Sequence, residues 1–159
     1  MKKEEKSSNQ TNKIFNDYSS WFMRVALEEA EKAFGQGEVP VGAVVVNNEN
    51  QIVSKAHNLK ESVHDPCGHA EIIALRDAAR KIGNWRLSNH RIYVTLEPCL
   101  MCMGALIHSR IDSLIFGAYD LKGGALSLGF WPYKSSLLNH KFNVAGGVEH
   151  YDCSRMLSN

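Results

Sequence analysis

The order of apolar patterns along the chain predicts an α/β fold, and two observations carry that expectation. Residues 41–46 are nearly all apolar and rich in valine. After the polar turn Asn47-Asn48-Glu49-Asn50 a second strand-like run, residues 51–57, returns as the other arm of a hairpin. Further on, a strand pattern at residues 91–96, an apolar helical stretch opening near Cys99 and another strand pattern at residues 113–118 spell a strand–helix–strand crossover. A right-handed crossover of this kind sets its two strands parallel.

Each element has its own signal. From Ser20, the residues Trp21, Phe22, Val25, Ala26, Ala30, Ala33 and Phe34 fall at helical spacing, with Gly35 and Gly37 as the stop. Its aromatic residues are expected in the core. Residues 41–46 read as a strand buried on both faces, and Gly42 within it marks a close approach to the backbone, by a ligand or by packing. Asp65-Pro66-Cys67-Gly68 breaks the chain before a second helix with Ile72, Leu75, Ala79 and Ile82 on one face, Arg80 and Lys81 in its last turn and Gly83 as its end. In residues 91–96, Ile92, Val94 and Leu96 alternate with Arg91, Tyr93 and Thr95. The helix after Cys99 carries Leu100, Met101, Met103, Ala105, Leu106 and Ile107 on every side and is expected to be buried. A short closing strand is expected over residues 148–151.

The chain of 159 residues is long enough for one domain, expected over 18–159, behind a polar N-terminal arm, residues 1–17, expected to be disordered. Its 18 basic and 17 acidic residues leave a formal charge of +1, which argues against wholesale wrapping of nucleic acid but not against a local basic patch. Neither a secretory leader nor an apolar run of membrane length is visible. A cytoplasmic setting with reduced thiols follows, in which closely spaced cysteines are metal ligands or redox groups before they are disulfides.

The four cysteines are Cys67, Cys99, Cys102 and Cys153. Cys99 and Cys102 form a Cys-x-x-Cys pair after Pro98, and His69-Ala70-Glu71 lies about thirty residues upstream. Two thiols and one imidazole make three zinc ligands, so a fourth position stays open to water, as in catalytic rather than structural sites. Both clusters open helices, whose free N–H groups and partial positive charge favour thiolates. Zinc brings the pKa of a water in the open position to near neutrality, and Glu71 stands two residues from His69, in reach of its proton. Cys-x-x-Cys alone is shared by redox pairs and by halves of structural zinc sites. Cys67 is placed to close the sphere as a fourth ligand, but Glu71 would then have no task, and an ordinary thiol is expected at both Cys67 and Cys153.

His-x-Glu followed by Pro-Cys-x-x-Cys is the signature of zinc-dependent nucleobase deaminases. With Glu38-Val39-Pro40-Val41-Gly42-Ala43-Val44, His57-Asn58, Val94-Thr95-Leu96-Glu97, Gly104-Ala105-Leu106-Ile107-His108-Ser109-Arg110-Ile111 and Phe116-Gly117-Ala118, the chain resembles the bacterial tRNA-specific adenosine deaminases over about residues 18–155. The resemblance implies a cytidine deaminase-like three-layer α/β/α fold with a mixed five-stranded sheet, a homodimer, one zinc per subunit, and conversion of the wobble adenosine of a tRNA anticodon loop to inosine. It further implies that His69, Cys99 and Cys102 bind zinc, that Glu71 is the catalytic proton shuttle, and that Asn58 and Asp120 bind substrate. The segment 124–132 and the C-terminus depart from the family pattern, both where substrate choice is set.

Two other functions share the zinc motif: deamination of a free base or nucleotide, such as guanine or cytosine, and a non-catalytic zinc-binding partner subunit. The balanced charge favours the first over an RNA substrate, while His57-Asn58 and His108-Ser109-Arg110 favour the RNA. A non-catalytic subunit has no need of Glu71. Lys122, Lys134 and Lys141 are candidate phosphate contacts, and Phe130, Trp131 and Tyr133 are candidates for stacking on bases or for packing.

Overall fold

The computed structural model describes residues 2–159, with side chains from Tyr18 onward. The arm expected over residues 1–17 lies outside the described side chains. Helix α1 is Lys2–Gly35, and the hairpin strands are β1, Gly42–Asn47, and β2, Ile52–His57. Helix α2, Ala70–Ile82, leads to β3, His90–Leu96; helix α3, Leu100–His108, leads to β4, Ser113–Ala118; a short β5, Asn143–Ala145, and helix α4, His150–Ser158, complete the chain.

The five strands form one sheet in the order β2-β1-β3-β4-β5. β1 pairs antiparallel with both β2 and β3, whereas β3–β4 and β4–β5 are parallel. The sheet is therefore mixed, and the expected hairpin and crossover are both present. Helices α1 and α4 touch each other and cover one face, and α2 with α3 covers the other. No described helix is long and apolar enough to cross a membrane.

The pleat sorts the core into two clusters. Ala43, Val45, Ile92, Val94, Leu114 and Phe116 pack with α2 and α3, while Val44, Val46, Tyr93 and Ile115 pack with Phe22, Met23 and Ala26 of α1. Successive side chains point to opposite faces, so in β3 the alternation divides two buried sides: Tyr93 and Thr95 are as buried as Ile92 and Val94.

Three expectations need correction. The strand expected over residues 148–151 does not form; the fifth strand is Asn143–Ala145, and residues 150 onward are helical. Cys153 and Leu157, four residues apart, face the core from α4, the spacing of a helix. Trp21 and Phe34 are 53% and 52% exposed, so of the aromatic residues in that helix only Phe22 is core among those named. In α3, Cys102, Met103, Leu106 and Ile107 are buried, but Leu100 and Met101 face outward and Gly104 is half-buried. One side of an apolar helix is left uncovered.

At Gly42, packing is the reason for the glycine. A Cβ there would lie 1.9 Å from the Ala26 carbonyl oxygen and 2.7 Å from the Ala30 nitrogen, so α1 rests on β1 backbone against backbone. Gly42→Ala is expected to destabilise the fold by about 1–3 kcal/mol through overpacking, read as a lower denaturation midpoint in urea; an unchanged midpoint would show that α1 shifts freely.

Candidate active site

Parallel pairing of β3 and β4 brings their C-terminal ends together, and the segments that leave them carry Glu97 to Cys102 and Asp120. His69 and Cys99 are the N-cap residues of α2 and α3, both in extended backbone conformation, and neither side chain caps its helix. An N-cap side chain ordinarily accepts a backbone N–H. Here both turn instead toward each other, and Cys102 joins them from the first turn of α3.

The His69, Cys99 and Cys102 ligand atoms all lie within 4.8 Å of one another. His69 Nδ1 is 3.6 Å from Cys99 Sγ and 3.5 Å from Cys102 Sγ. Bonds of about 2.3 Å to sulfur and 2.0–2.1 Å to nitrogen at tetrahedral angles set such edges at roughly 3.6 Å. The donor set and its spacing fit one zinc ion. Cys67 is exposed and is not part of this group, so the sphere keeps three protein ligands.

Without metal, the two thiols are hydrogen-bonded to each other. A hydrogen bond from Cys102, assisted by His69, pulls the Cys99 thiol down to about 4 against the opposing effect of burial. Donating that bond raises Cys102, and burial and the neighbouring Glu71 raise it further. His69 is raised chiefly by its contact with Cys99. Metal binding at such a site displaces thiol protons, the ordinary linkage between affinity and pH at a thiolate site.

Glu71 lies in the first turn of α2 with only 4% of its surface exposed, and its Oε2 is buried with no hydrogen-bond partner among the described residues. Burial lifts its pKa to about 7, an effect that its own backbone N–H and His69 partly oppose. An orphaned buried carboxyl oxygen beside three metal ligands has a ready explanation in a group that occupies the cluster.

The cleft above these residues is lined by Asn58, Lys60, Glu97 and Asp120 in addition to His69 and Glu71. Asn58 is held on both sides: its Oδ1 accepts the Lys60 N–H at 3.1 Å and its Nδ2 donates to the Val39 carbonyl at 3.3 Å. One amide hydrogen and part of the oxygen's acceptor capacity remain. Beside it, His57 Nδ1 lies 3.0 Å from Glu29 Oε2. Glu38, buried, accepts the N–H groups of Glu61 and Ser62 and fixes the turn after Asn58. Asp120 closes its own turn by accepting the N–H groups of Lys122 and Gly123 at its Oδ1.

All six expected site residues thus line one cleft or lie at its floor. Glu38, Lys60 and Glu97 were not singled out from the sequence as site residues. For Glu97 the available signal is its position, an acidic residue at the end of a buried strand and directly before Pro98. The candidate contacts outside the cleft divide: Lys122, Lys134 and Lys141 are exposed, as are Phe130 and Trp131, whereas Tyr133 is buried and packs on Phe142 with ring centroids 5.5 Å apart.

The Glu71 carboxyl makes the metal-free protein sensitive to pH. It ionises near 4.5 in the unfolded chain and near 7 in the fold. Below 4.5 it is protonated in both states, so its penalty is absent; as pH rises from 4.5 to 7 the unfolded state ionises more readily and stability falls. The full loss is roughly 3 kcal/mol. Chelated wild-type protein should therefore lose thermal stability across this window relative to chelated Glu71→Gln, and parallel Tm curves would contradict it.

Comparison with known proteins agrees with this chemistry. Residues 17–118 match the family model described as the cytidine and deoxycytidylate deaminase zinc-binding region. The tRNA-specific adenosine deaminase of Haemophilus influenzae is 47% identical over 146 residues, 92% of this chain and 84% of the relative. That of Bacillus subtilis is 42% identical over 86% of this chain and 84% of the relative. A solved structure from work on A-to-I editing by tRNA:A34 deaminases superposes with a TM-score of 0.79 at 35% identity, over 86% of this chain and 98% of that one. With a zinc-fitting triad, a buried glutamate beside it and these similarities over most of its length, the chain belongs to the tRNA-specific adenosine deaminases, a family of zinc-dependent hydrolytic deaminases.

Proposed function

We propose that this protein hydrolyses adenosine to inosine and ammonia at the wobble position of a tRNA anticodon. The observation that carries this reading is the 47% identity to a tRNA-specific adenosine deaminase over 92% of the chain, taken with the unpartnered Glu71 carboxyl beside the ligand triad. His69, Cys99 and Cys102 hold the zinc. When bound, it supplies a water acidified to near neutrality for attack at C6 of adenine.

Glu71 moves the protons. A buried carboxyl with one oxygen unpartnered among the described residues is free to act as base and acid in turn. It takes a proton from the attacking water and delivers it to the ring nitrogen, then takes the proton of the new C6 hydroxyl and passes it to the amine, which leaves as ammonia as the C6 carbonyl forms. Asn58 presents its remaining donor and acceptor capacity to the edge of the base, held flat by Val39 and Lys60. Asp120 forms another part of the cleft lining. A nucleotide in an anticodon loop is already unpaired, so extruding it into the cleft costs less than from a duplex.

The homodimer is part of the same proposal. The outward side of α3 forms a groove with Leu100, Gly104 and Leu138, edged by His108 and Arg110. An apolar face of this kind suits a second copy of the chain.

Incubation with an adenosine-bearing anticodon stem-loop is expected to yield inosine, and release of ammonia from free bases alone would overturn the substrate assignment. Glu71→Ala is expected to retain one zinc and lose about 10²–10⁴-fold in kcat. Retained turnover would remove Glu71 from the mechanism.

A further inference from the structure

We propose that Glu97 is a positioning residue, a buried clamp that joins the metal-ligand turn to the wall of the cleft that carries Asp120. The inference rests on the reading above that a nucleotide enters this cleft. Glu97 directly precedes Pro98-Cys99 and is 2% exposed. Among the described residues it forms no salt bridge, and its carboxylate accepts hydrogen bonds from the chain segment after β4. Oε1 accepts the Asp120 N–H at 3.3 Å and the Ser127 hydroxyl, and Oε2 accepts the Ser127 N–H at 2.9 Å.

The surrounding backbone repeats this connection. Glu97 N–H donates to the Ala118 carbonyl, and Ala125 N–H donates to that of Pro98. Gly124 N–H closes the intervening turn on the Asp120 carbonyl at 2.9 Å. Gly124 is a glycine because of the clamp: a Cβ there would lie 1.9 Å from Glu97 Oε2. Thus the segment from Asp120 to Ser127, part of which departs from the family pattern, is folded around one side chain of the zinc-site turn.

A carboxylate suits this place better than an amide. All three groups that meet Glu97 are donors, and a carboxylate is acceptor-only on both oxygens. In Glu97→Gln one of the two positions must carry an NH₂ facing a donor. The wall carrying Asp120 then loosens, while the triad, which Glu97 does not touch through its carboxylate, is unaffected. The consequence falls on substrate binding more than on the chemical step.

Amide exchange followed by NMR, zinc content and steady-state kinetics on an anticodon stem-loop test this together, with the full-length zinc-loaded protein. Glu97→Gln is expected to speed exchange at Asp120 and Ser127, keep one zinc, raise KM about tenfold and change kcat by less than about threefold. Gly124→Ala should reproduce the same split by pushing on Oε2 from the other side. Ser127→Ala, at an exposed position that leaves folding intact, should raise KM a few-fold, with Ser127→Thr restoring it. Unchanged exchange at both amides, loss of zinc, or a fall in kcat at constant KM would each overturn the clamp. Should wild-type protein fail to turn over the RNA, the substrate assignment fails by itself, and the exchange at Asp120 and Ser127 still decides whether Glu97 holds the segment.

Discussion

Two helix N-caps that decline to cap their helices are the constraint on which the rest of this structure depends. His69 and Cys99 occupy positions where a serine or aspartate would satisfy free backbone N–H groups, worth about 1 kcal/mol to each helix. Their side chains meet each other instead, and the fold supports the arrangement from outside. Parallel pairing of β3 with β4 lines up the strand ends, the buried faces of α2 and α3 lock both helices on one side of the sheet, and the small residues Ala70, Ala74 and Ala78 let α2 lie close. The metal returns through coordination what the two helices give up at their first turns.

The same end of the sheet gathers buried acids with distinct tasks. Glu71 has an oxygen with no partner among the described residues, and in the metal-free protein burial raises its pKa to about 7. Glu38 and Glu97, equally buried, have their oxygens filled by backbone N–H and serine hydroxyl groups. Desolvation alone does not separate these roles. What separates them is whether donors meet the carboxylate, since a satisfied carboxylate stays fixed and an unsatisfied one remains free to exchange protons.

Much of this was legible in the sequence because it rested on local pattern. Residues 41–46 read correctly as a strand buried on both faces, since a nearly continuous apolar run leaves no solvent face. The grouping of His69, Cys99 and Cys102 was legible because metal ligation requires particular residue types at narrow spacing, with Glu71 two residues from His69; the resemblance to a known family pointed to Asn58 and Asp120, which line the same cleft. Less local features were hidden. Asn143–Ala145 is a three-residue strand at the sheet edge with exposed ends, too short to alternate. Trp21 and Phe34 share the helical spacing of Phe22 but are half exposed, and Leu100 and Met101 are apolar residues on the outward side of α3 that side-chain type alone does not separate from the core. The position of Glu97 before Pro98 hints at a role but not which one, since its donors lie 23 and 30 residues further along the chain.

The seat of α1 on β1 also bears on how far this sequence can drift. The contact at Gly42 is made by the Ala26 carbonyl and the Ala30 nitrogen, atoms common to every residue type. Substitutions in the helix therefore cannot compensate for a side chain at position 42, whereas the outward face that bears Arg24 and Glu28 is open to change. Gly42 is paired with His57, the neighbour of Asn58. Descendants of this chain can vary the outside of their first helix widely and still inherit one helix-to-sheet distance, and with it the height at which a base is received.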